Sequence, residues 1–543
     1  MILKNSISIV YEFFFILSRQ IRKLYLNSSI YNKKISKIDN KILNYRPTLS
    51  VLSCLIKYEK QKNKIESFNV NSIWKNKKIS DKDYKKLNSF YWLFSIDLKS
   101  SKKITQSIIK NWIEKNKKFN SKSWEIDTLS KRIIAWVSNT KLTYEETDGN
   151  YKMLFNKVIH KQVNHLINEI NRSNLVDDKM LGCTAIIITG LSYNHEKFLS
   201  YGLNLLKNII NSSFDNQFFP KTRSIRQLVF YLRYFVLIRE LLKESFNEIP
   251  DYLDEAIFFI GKGYNFIWSS HNESLLFNGN HIADLSDLDK YLDLHGYKFK
   301  NDSNEIGGYS ILKNKKIIIC MDVGPTPRRK YSENYQSGPL SFEIIFKGKK
   351  LICNSGYYQD QKHQLNKISK STAAHSTLVV NNTSACSFKK DKKGLNVIDK
   401  GFKNLDKNIV NQKNFWSIRS SHDGYGDIYG IIHERTLEFY PEINKIVGKD
   451  KLIKKNNFRS SSFEIRFHLI PDTKITKTQD NRAILIELEN SGWRFYSDSG
   501  SIDIESGLYF GKKNTFYENQ NICISGMGQN EDQIIKWELS QII

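Results

Sequence analysis

Residues 307–325 read GGYSILKNKKIIICMDVGP, residues 334–358 read NYQSGPLSFEIIFKGKKLICNSGYY, and residues 369–388 read SKSTAAHSTLVVNNTSACSF. Ile317 to Ile319 is a continuous apolar run that closes on Asp322 and Gly324. Phe342, Ile344 and Phe346 alternate with Glu343, Ile345 and Lys347, which predicts a strand with one apolar face. Gly348 lies in a four-residue turn before Leu351 and Cys353 resume the pattern, which predicts a hairpin. Thr377 to Val380 is a β-rich run that closes on the turn pair Asn381-Asn382. Polar residues gather at these strand ends. Asn334, Tyr335 and Gln336 precede one strand, Asn354, Tyr357 and Tyr358 follow the next, and His375 precedes the third. A sheet that stacks those ends on one side collects them into one patch.

Downstream, the alternation continues. Arg419–Asp427 reads as a turn cluster and Ile428–Leu437 as a strand; Phe463, Ile465, Phe467 and Leu469 mark another, and Ile484, Ile486 and Leu488 a further one. Recurrent strands with turns between them predict an antiparallel β-sandwich. Upstream, the period changes to 3.6. Phe90 to Leu93 is read as the opening of a helix. Apolar stripes at Ile104/Ile108/Ile109/Trp112, Leu129/Ile133/Ile134/Trp136, Val163/Leu166/Ile170 and Ile225/Val229/Leu232/Val236 predict stacked helices. Residues 271–306 read as a linker-like segment. The length of 543 residues exceeds what one core serves. The expected organisation is therefore an N-terminal arm over 1–80, a helical domain over 81–300 and a sheet domain over 301–543.

Lysine and arginine number 83 against 56 acidic residues, a formal charge of +27. Such an excess is either a solvated basic surface or an attraction to a polyanion. No basic run is interleaved with aromatics in the manner of a nucleic-acid module, so nucleic acid is set aside as a partner. The six cysteines have no CxxC spacing and no dense framework, and read as small buried hydrophobes. Near the N-terminus, Glu12 interrupts the apolar residues, Arg19, Arg22 and Lys23 follow, and no small-x-small cleavage site is present. This predicts an amphipathic helix that packs on the protein or makes a peripheral membrane contact, in preference to a secretory signal.

The three quoted blocks resemble the C-terminal domain of the heparinase II/III-like family of polysaccharide lyases, in order and spacing over roughly eighty residues. Weaker likeness runs through HDGYGDIYGIIHERTL at 422–437, FEIRFHLIP at 463–471 and GWRFYS at 492–497, and WEIDTLSKRIIAWVSN at 124–139 is similar to the family's helical half. The resemblance implies an incomplete (α/α) toroid followed by an antiparallel β-sandwich, with an acidic polysaccharide held in a groove between them. It also implies a cell-envelope or periplasmic location; without a convincing signal peptide, the cytoplasm is the alternative.

Lyases of this kind cut beside a uronate by β-elimination. The carboxylate must be neutralised, a base must take the α proton, and an acid must protonate the leaving oxygen. The family's AAHST block supplies a metal-binding histidine, which corresponds to His375. Its H-x-H element maps onto Asn334-Tyr335-Gln336, and both histidines are absent. Its aspartate maps onto Asn354. Of the three implied ligands, Gln336, Asn354 and His375, only the histidine is retained, and no tightly bound zinc is expected because amides are poor zinc ligands. The Tyr-His pair of the helical half would fall near Ile225-Arg226 and is also missing. The candidates for catalysis are then His375, Asn334, Tyr335 and Arg223. Those for substrate binding are Arg226, Gln336, Asn280, His281 and Tyr357, with arginine suited to clamping a carboxylate. Two functions remain: a lyase acting on a uronate-containing glycan, or a catalytically degenerate glycan-binding or envelope-biogenesis protein of the same fold. The missing motifs favour the second, while the retained His375, Arg223 and Arg226 keep the lyase, the first reading, open.

Overall fold

The computed structural model describes residues 14, 17–37, 41–48, 51–52, 55, 79–95, 102–173, 175–268, 273–391, 394–489, 491–513 and 515–542. Most of the expected arm, including the apolar residues before Phe14, lies outside the described residues. Contacts divide the chain into two units: residues 1–213 with 233–257, and residues 214–232 with 258–543.

The first unit is helical. Its helices include Asp81–Ser89, Lys102–Lys115, Ile126–Ser138, Gly149–Glu169, Val176–Ser192 and Glu196–Ser213. Side-chain caps fix their starts: the Ser80 hydroxyl accepts from the Asp83 amide, and the Asp148 carboxylate accepts from the Tyr151 amide. Val176–Ser192 is buried from Met180 to Ser192 and packs against both Ile126–Ser138 and Glu196–Ser213, which makes it the inner helix its all-round apolarity predicts. Phe90 does not open a helix. It terminates Asp81–Ser89 in the left-handed conformation (φ 54°), and Tyr91–Ser95 continues as a 3₁₀ turn. Its buried ring against Trp112 and Trp136 is what holds that conformation. Helix Ile225–Glu244 begins in the second unit and ends in the first.

The second unit is built on antiparallel sheets. One has the order β1 (Glu305–Ile306), β2 (Tyr309–Lys313), β3 (Ile317–Asp322), β4 (Phe342–Phe346) and β5 (Lys349–Ile352). The β4–β5 hairpin closes through Lys347 and Gly348, both at positive φ (47° and 79°), the turn whose twist matches its strands. An eight-stranded sheet and a four-stranded sheet follow. The three share one core, in which Phe342 stacks on Trp537 at 5.5 Å, Phe346 meets Trp493 edge-on at 5.0 Å, and Phe467 meets Trp537 at 4.8 Å.

Three local readings are corrected. β4 is buried on both faces, because Glu343 on its polar side is covered and ion-paired to Lys350 at 2.6 Å. The RSSHDGY cluster is no turn but the end of strand Phe415–Tyr425, paired with strand Ile431–Tyr440. Its polar residues are tolerated inside because His422 and His433 face one another across the pair at 3.2 Å. The segment 271–306 contains a helix, Ser286–Leu294, where Leu288, Tyr291 and Leu292 provide a short buried stripe among the aspartates. Among the described residues no helix is long and apolar enough to cross a membrane.

Candidate functional site

Asp322, the acid that closes the apolar run of β3, organises the site. It is buried and ion-paired with Arg223 at 2.6 Å. Arg223 sits at φ 59°, a left-handed position that costs a non-glycine residue roughly 1–2 kcal/mol, so its surroundings must hold it there. They do so at every nitrogen. Nε donates to the Gly307 carbonyl at 3.2 Å, Nη1 to Pro325 at 3.1 Å, and Nη2 to Gly308 at 2.9 Å as well as to Asp322. Gly308 and Gly324 flank the guanidinium so closely that a Cβ on either would lie within 2.7 Å of it. Burial pulls the Arg223 pKa down, but Asp322 and the neighbouring phenols outweigh it and leave the cation permanently charged. Arg223 is thus a buried cation with every nitrogen engaged inside the fold.

Asn278 extends this network. Its amide donates to the Tyr309 hydroxyl at 2.6 Å and to Asp322 at 3.2 Å, while its oxygen accepts from the Gln336 amide at 3.3 Å. Gln336 is fully engaged in turn. Its oxygen accepts from Gly279 N at 3.0 Å, and its amide donates to the carbonyls of Gly356 and Ser369 at 2.9 and 2.6 Å. Asn280 is buried and donates to the Leu275 carbonyl at 2.7 Å, which shapes the same loop.

Asn354 faces Glu343. Its side-chain amide donates to Glu343 Oε1 at 3.3 Å, its backbone amide to the same oxygen at 2.9 Å, and its oxygen accepts from Ser376 N at 2.9 Å. His375 donates from Nδ1 to the Ser371 carbonyl at 2.9 Å, while Nε2 is buried without a hydrogen-bond partner. Burial lowers its pKa to about 4, so the ring is neutral. Gln336 and Asn354 have committed their polar atoms to the backbone and to Glu343. The set Gln336, Asn354 and His375 therefore does not fit a zinc ion, which needs lone pairs converging on one point. Among the described residues no group of three His, Cys, Asp or Glu side chains is placed to hold a metal. Asn354→Asp, which puts back the carboxylate the resemblance implies, removes a donor from buried Glu343 and sets two carboxylates together. It is expected to lower stability by about 3 kcal/mol, read as a fall in the urea midpoint.

Tyr335 is fully buried and its hydroxyl has no hydrogen-bond partner. What remains at the rim is a different group. Tyr357 donates to Asn334 Oδ1 at 3.3 Å, and Asn334 itself is half-buried. Burial pushes the Tyr357 phenol up to about 12; Glu333 adds to the rise and the nearby Arg226 opposes it. Gln361 donates to Glu333 at 2.8 Å, and Gln359 pairs with His281 at 2.9 Å. Arg226 and Asn334, both half-buried, therefore flank a protonated phenol, and the half-buried His281 meets Gln359 two residues along the chain from it. Such a rim can neutralise a carboxylate and hydrogen-bond sugar hydroxyls. The phenol keeps its proton at neutral pH and the free lone pair of His375 is enclosed, which leaves the half-buried His281 and Glu333 as the rim groups able to accept a proton.

The sequence missed Asp322, Asn278 and Glu343, the residues that hold the rest in place. The signal for Asp322 was present, as an acid ending a buried apolar run. His422, His433 and Arg435 also act inside the sheet: His433 and Arg435 reach Asp450 at 2.7 and 2.8 Å, and all are buried.

Comparison with known proteins agrees with this architecture. Residues 303–538 match the model of the heparinase II/III-like C-terminal domain. The chain is 24% identical over 246 residues to FtsZ-localized protein C of Caulobacter vibrioides, a match that spans 43% of this chain and 42% of that relative. Among solved structures, a heparinase III superposes with TM-score 0.69 at 14% identity, covering 93% of this chain and 87% of its own. A heparan sulfate lyase HepC mutant from Pedobacter heparinus gives 0.66 at 12% identity over 94% and 85%. A Paenibacillus xanthan lyase gives 0.53 at 10% identity over 91% and 56%. At these identities the likeness establishes the fold, a toroid-type helical region followed by antiparallel sheets, and the fold alone.

Proposed function

We propose, from the premise that residues 303–538 are a heparinase II/III-like C-terminal domain, that this chain binds an acidic, uronate-containing glycan at the rim around Tyr357 and does not cleave it. One observation carries the reading. The side chains expected to do chemistry are engaged within the fold or enclosed, above all Arg223 on Asp322 and His375 with its buried Nε2. Arg226 supplies the cation for the carboxylate, and Asn334, Tyr357 and His281 supply the hydrogen bonds. Zinc has no part in this reading. The curated relative is named for where it localises and not for a reaction, which agrees with a binding role. The cell envelope is the location such a ligand calls for. A peripheral membrane contact belongs to the same proposal, supported by Leu17, Ile21 and Leu24, which are exposed along one side of the described N-terminal helix beside Arg19 and Lys23.

A second reading, retained β-elimination, is favoured by the protonated Tyr357 beside Arg226, an arrangement able to protonate a leaving oxygen. The two separate in one experiment. Alginate, heparan sulfate and hyaluronan are each incubated with the protein, and both binding and the ultraviolet absorbance of the unsaturated uronate product are followed. Binding to at least one glycan with no absorbance rise is the expected result, and Arg226→Ala should weaken that binding about tenfold or more. An absorbance rise abolished in Tyr357→Phe would establish the lyase in its place.

A further inference from the structure

Two adjoining cavities lie on either side of the short helix Gln364–Lys370, with volumes of about 460 and 510 Å³. They share Lys367, Ser371 and Lys390 in their walls, so they form one continuous groove. Five lysines line it, Lys362, Lys367, Lys370, Lys389 and Lys390, with no acid among the lining residues, and of the five Lys389 is ion-paired with Asp399 at 3.1 Å. The wall is built and not a chance gathering of mobile side chains. Lys370 is buried, its amine fixed on the Glu333 and Asn396 carbonyls at 2.6 and 2.7 Å and lying 4.8 Å from the centre of the Phe388 ring. Burial brings its pKa down to about 7. Phe388, half-buried, offers an apolar face, and the hydroxyls of Ser371, Thr383 and Ser387 offer hydrogen bonds. Cations, hydroxyls and an aromatic face in one trough are the complement of a chain of anionic sugars. Lysine ammonium groups attract each anionic substituent without demanding one orientation.

Gln361 joins this groove to the rim, because it lines the second cavity and donates to Glu333. We infer that the groove is an extended subsite, which takes further residues of a sulfated or uronate glycan whose first residue sits at the Tyr357 rim. The inference rests on the proposed binding function and adds to it a preference for long, multiply charged chains.

The test compares a heparin tetrasaccharide, a heparin dodecasaccharide and a DNA duplex of similar charge by calorimetry at physiological salt. The proteins are the unaltered chain, Lys367→Glu/Lys390→Glu, and a control of equal charge change, Lys315→Glu/Lys316→Glu, in the exposed β2–β3 turn. All the substituted lysines are exposed, and unchanged circular dichroism confirms folding. The expected result is that the groove variant binds the dodecasaccharide about tenfold or more weakly, while the tetrasaccharide and the control change about twofold or less. Equal losses in groove variant and control would reduce the effect to net charge and overturn the inference. Equally tight DNA binding with the same dependence on Lys367 and Lys390 would overturn the glycan as occupant. If both heparins bind through Arg226 and neither responds to the groove variant, the subsite fails and the rim reading stands. If neither binds the unaltered chain, both fail.

Discussion

Asp450→Ala is expected to lower the stability of the sheet unit by about 5 kcal/mol, enough to unfold it at modest urea concentration. The carboxylate is buried between four donors. Arg435 reaches it through Nε at 2.8 Å and Nη2 at 3.1 Å, His433 Nε2 at 2.7 Å, and Trp537 Nε1 at 2.9 Å. Burial alone would raise its pKa, but Arg435 and His433 hold it well below the usual carboxylate range. The hydrogen bonds fix the tautomers. Gly424 N donates to His422 Nδ1, so His422 Nε2 carries the proton it gives to His433 Nδ1, and His433 Nε2 donates to Asp450. Removing the acid leaves a guanidinium unpaired in the core and orphans an indole and an imidazole. Arg435 also donates to the carbonyls of Leu340 and Ser376 at 3.0 and 2.7 Å, so the segment that carries His375 loosens with it. The measurement is urea unfolding followed by circular dichroism. Replacing Asp450, Arg435 and His433 together with apolar residues should cost less than the single change, because no charge is then stranded. A midpoint that hardly moves in Asp450→Ala would mean the acid is not the keystone.

Acid is the second large lever. His375 and His468 are lowered by burial to about 4 and about 3, and His422 and His433 are lowered as well, His422 by burial and by His433 itself. All four are in the sheet unit. Their unfolded values lie near 6.5, so between there and the folded values the unfolded chain binds more protons. Stability is therefore fully present above about pH 6.5 and is lost as pH falls, by about 1.4 kcal/mol per pH unit for each histidine. By pH 5 His375 and His468 together remove about 4 kcal/mol, a large part of the stability of a typical domain, and His422 and His433 pull the same way. Raised carboxyls in the sheet unit, Asp215, Glu273 and Asp322, oppose this loss, and Asp450, held low, adds to it; in the helical unit such a histidine is set against a raised acid. His165, lowered to about 3, pulls the same way, but Asp178, raised by burial to about 7, gains stability as pH falls and offsets it. Acidification should then unfold the sheets before the helices. Limited proteolysis between pH 7 and 4.5 should release helical fragments of residues 102–213 intact while the sheet unit is digested; digestion in the opposite order would contradict the assignment.

Much of the architecture was legible because period and turn chemistry agreed. The period of 3.6 residues marked helices such as Lys102–Lys115, and Gly348 marked the β4–β5 hairpin, although its turn has two residues, Lys347 and Gly348, and not four. The errors came where tertiary contacts override local pattern. Phe90 stands where the run Phe90 to Leu93 predicts a helix start, but its ring is anchored from outside the segment by Trp112 and Trp136. His422 lies in a polar run that predicts a turn, and the run hides its partner His433, eleven residues on. The candidate site was legible as a list of positions, since the rim residues Asn334, Tyr357, Arg226 and His281 fell among them. What each side chain does was not legible. Arg223 looked like a substrate clamp because sequence cannot show Asp322, nearly a hundred residues away, turned inward to meet it. The lost H-x-H was visible at once, yet the reason Asn suits position 354 appears only beside Glu343.

The bond between Arg223 and Asp322 also says something about how the gene can be cut. The stretch 214–232 lies in the middle of the helical sequence but folds with strands that are translated later. A start codon placed anywhere after Arg223 would deliver sheets with the buried Asp322 carboxylate lacking its cation, and a stop codon before Asp322 would strand the guanidinium. On the ribosome that stretch must wait for its partners, so the two units are interleaved in time as well as in sequence.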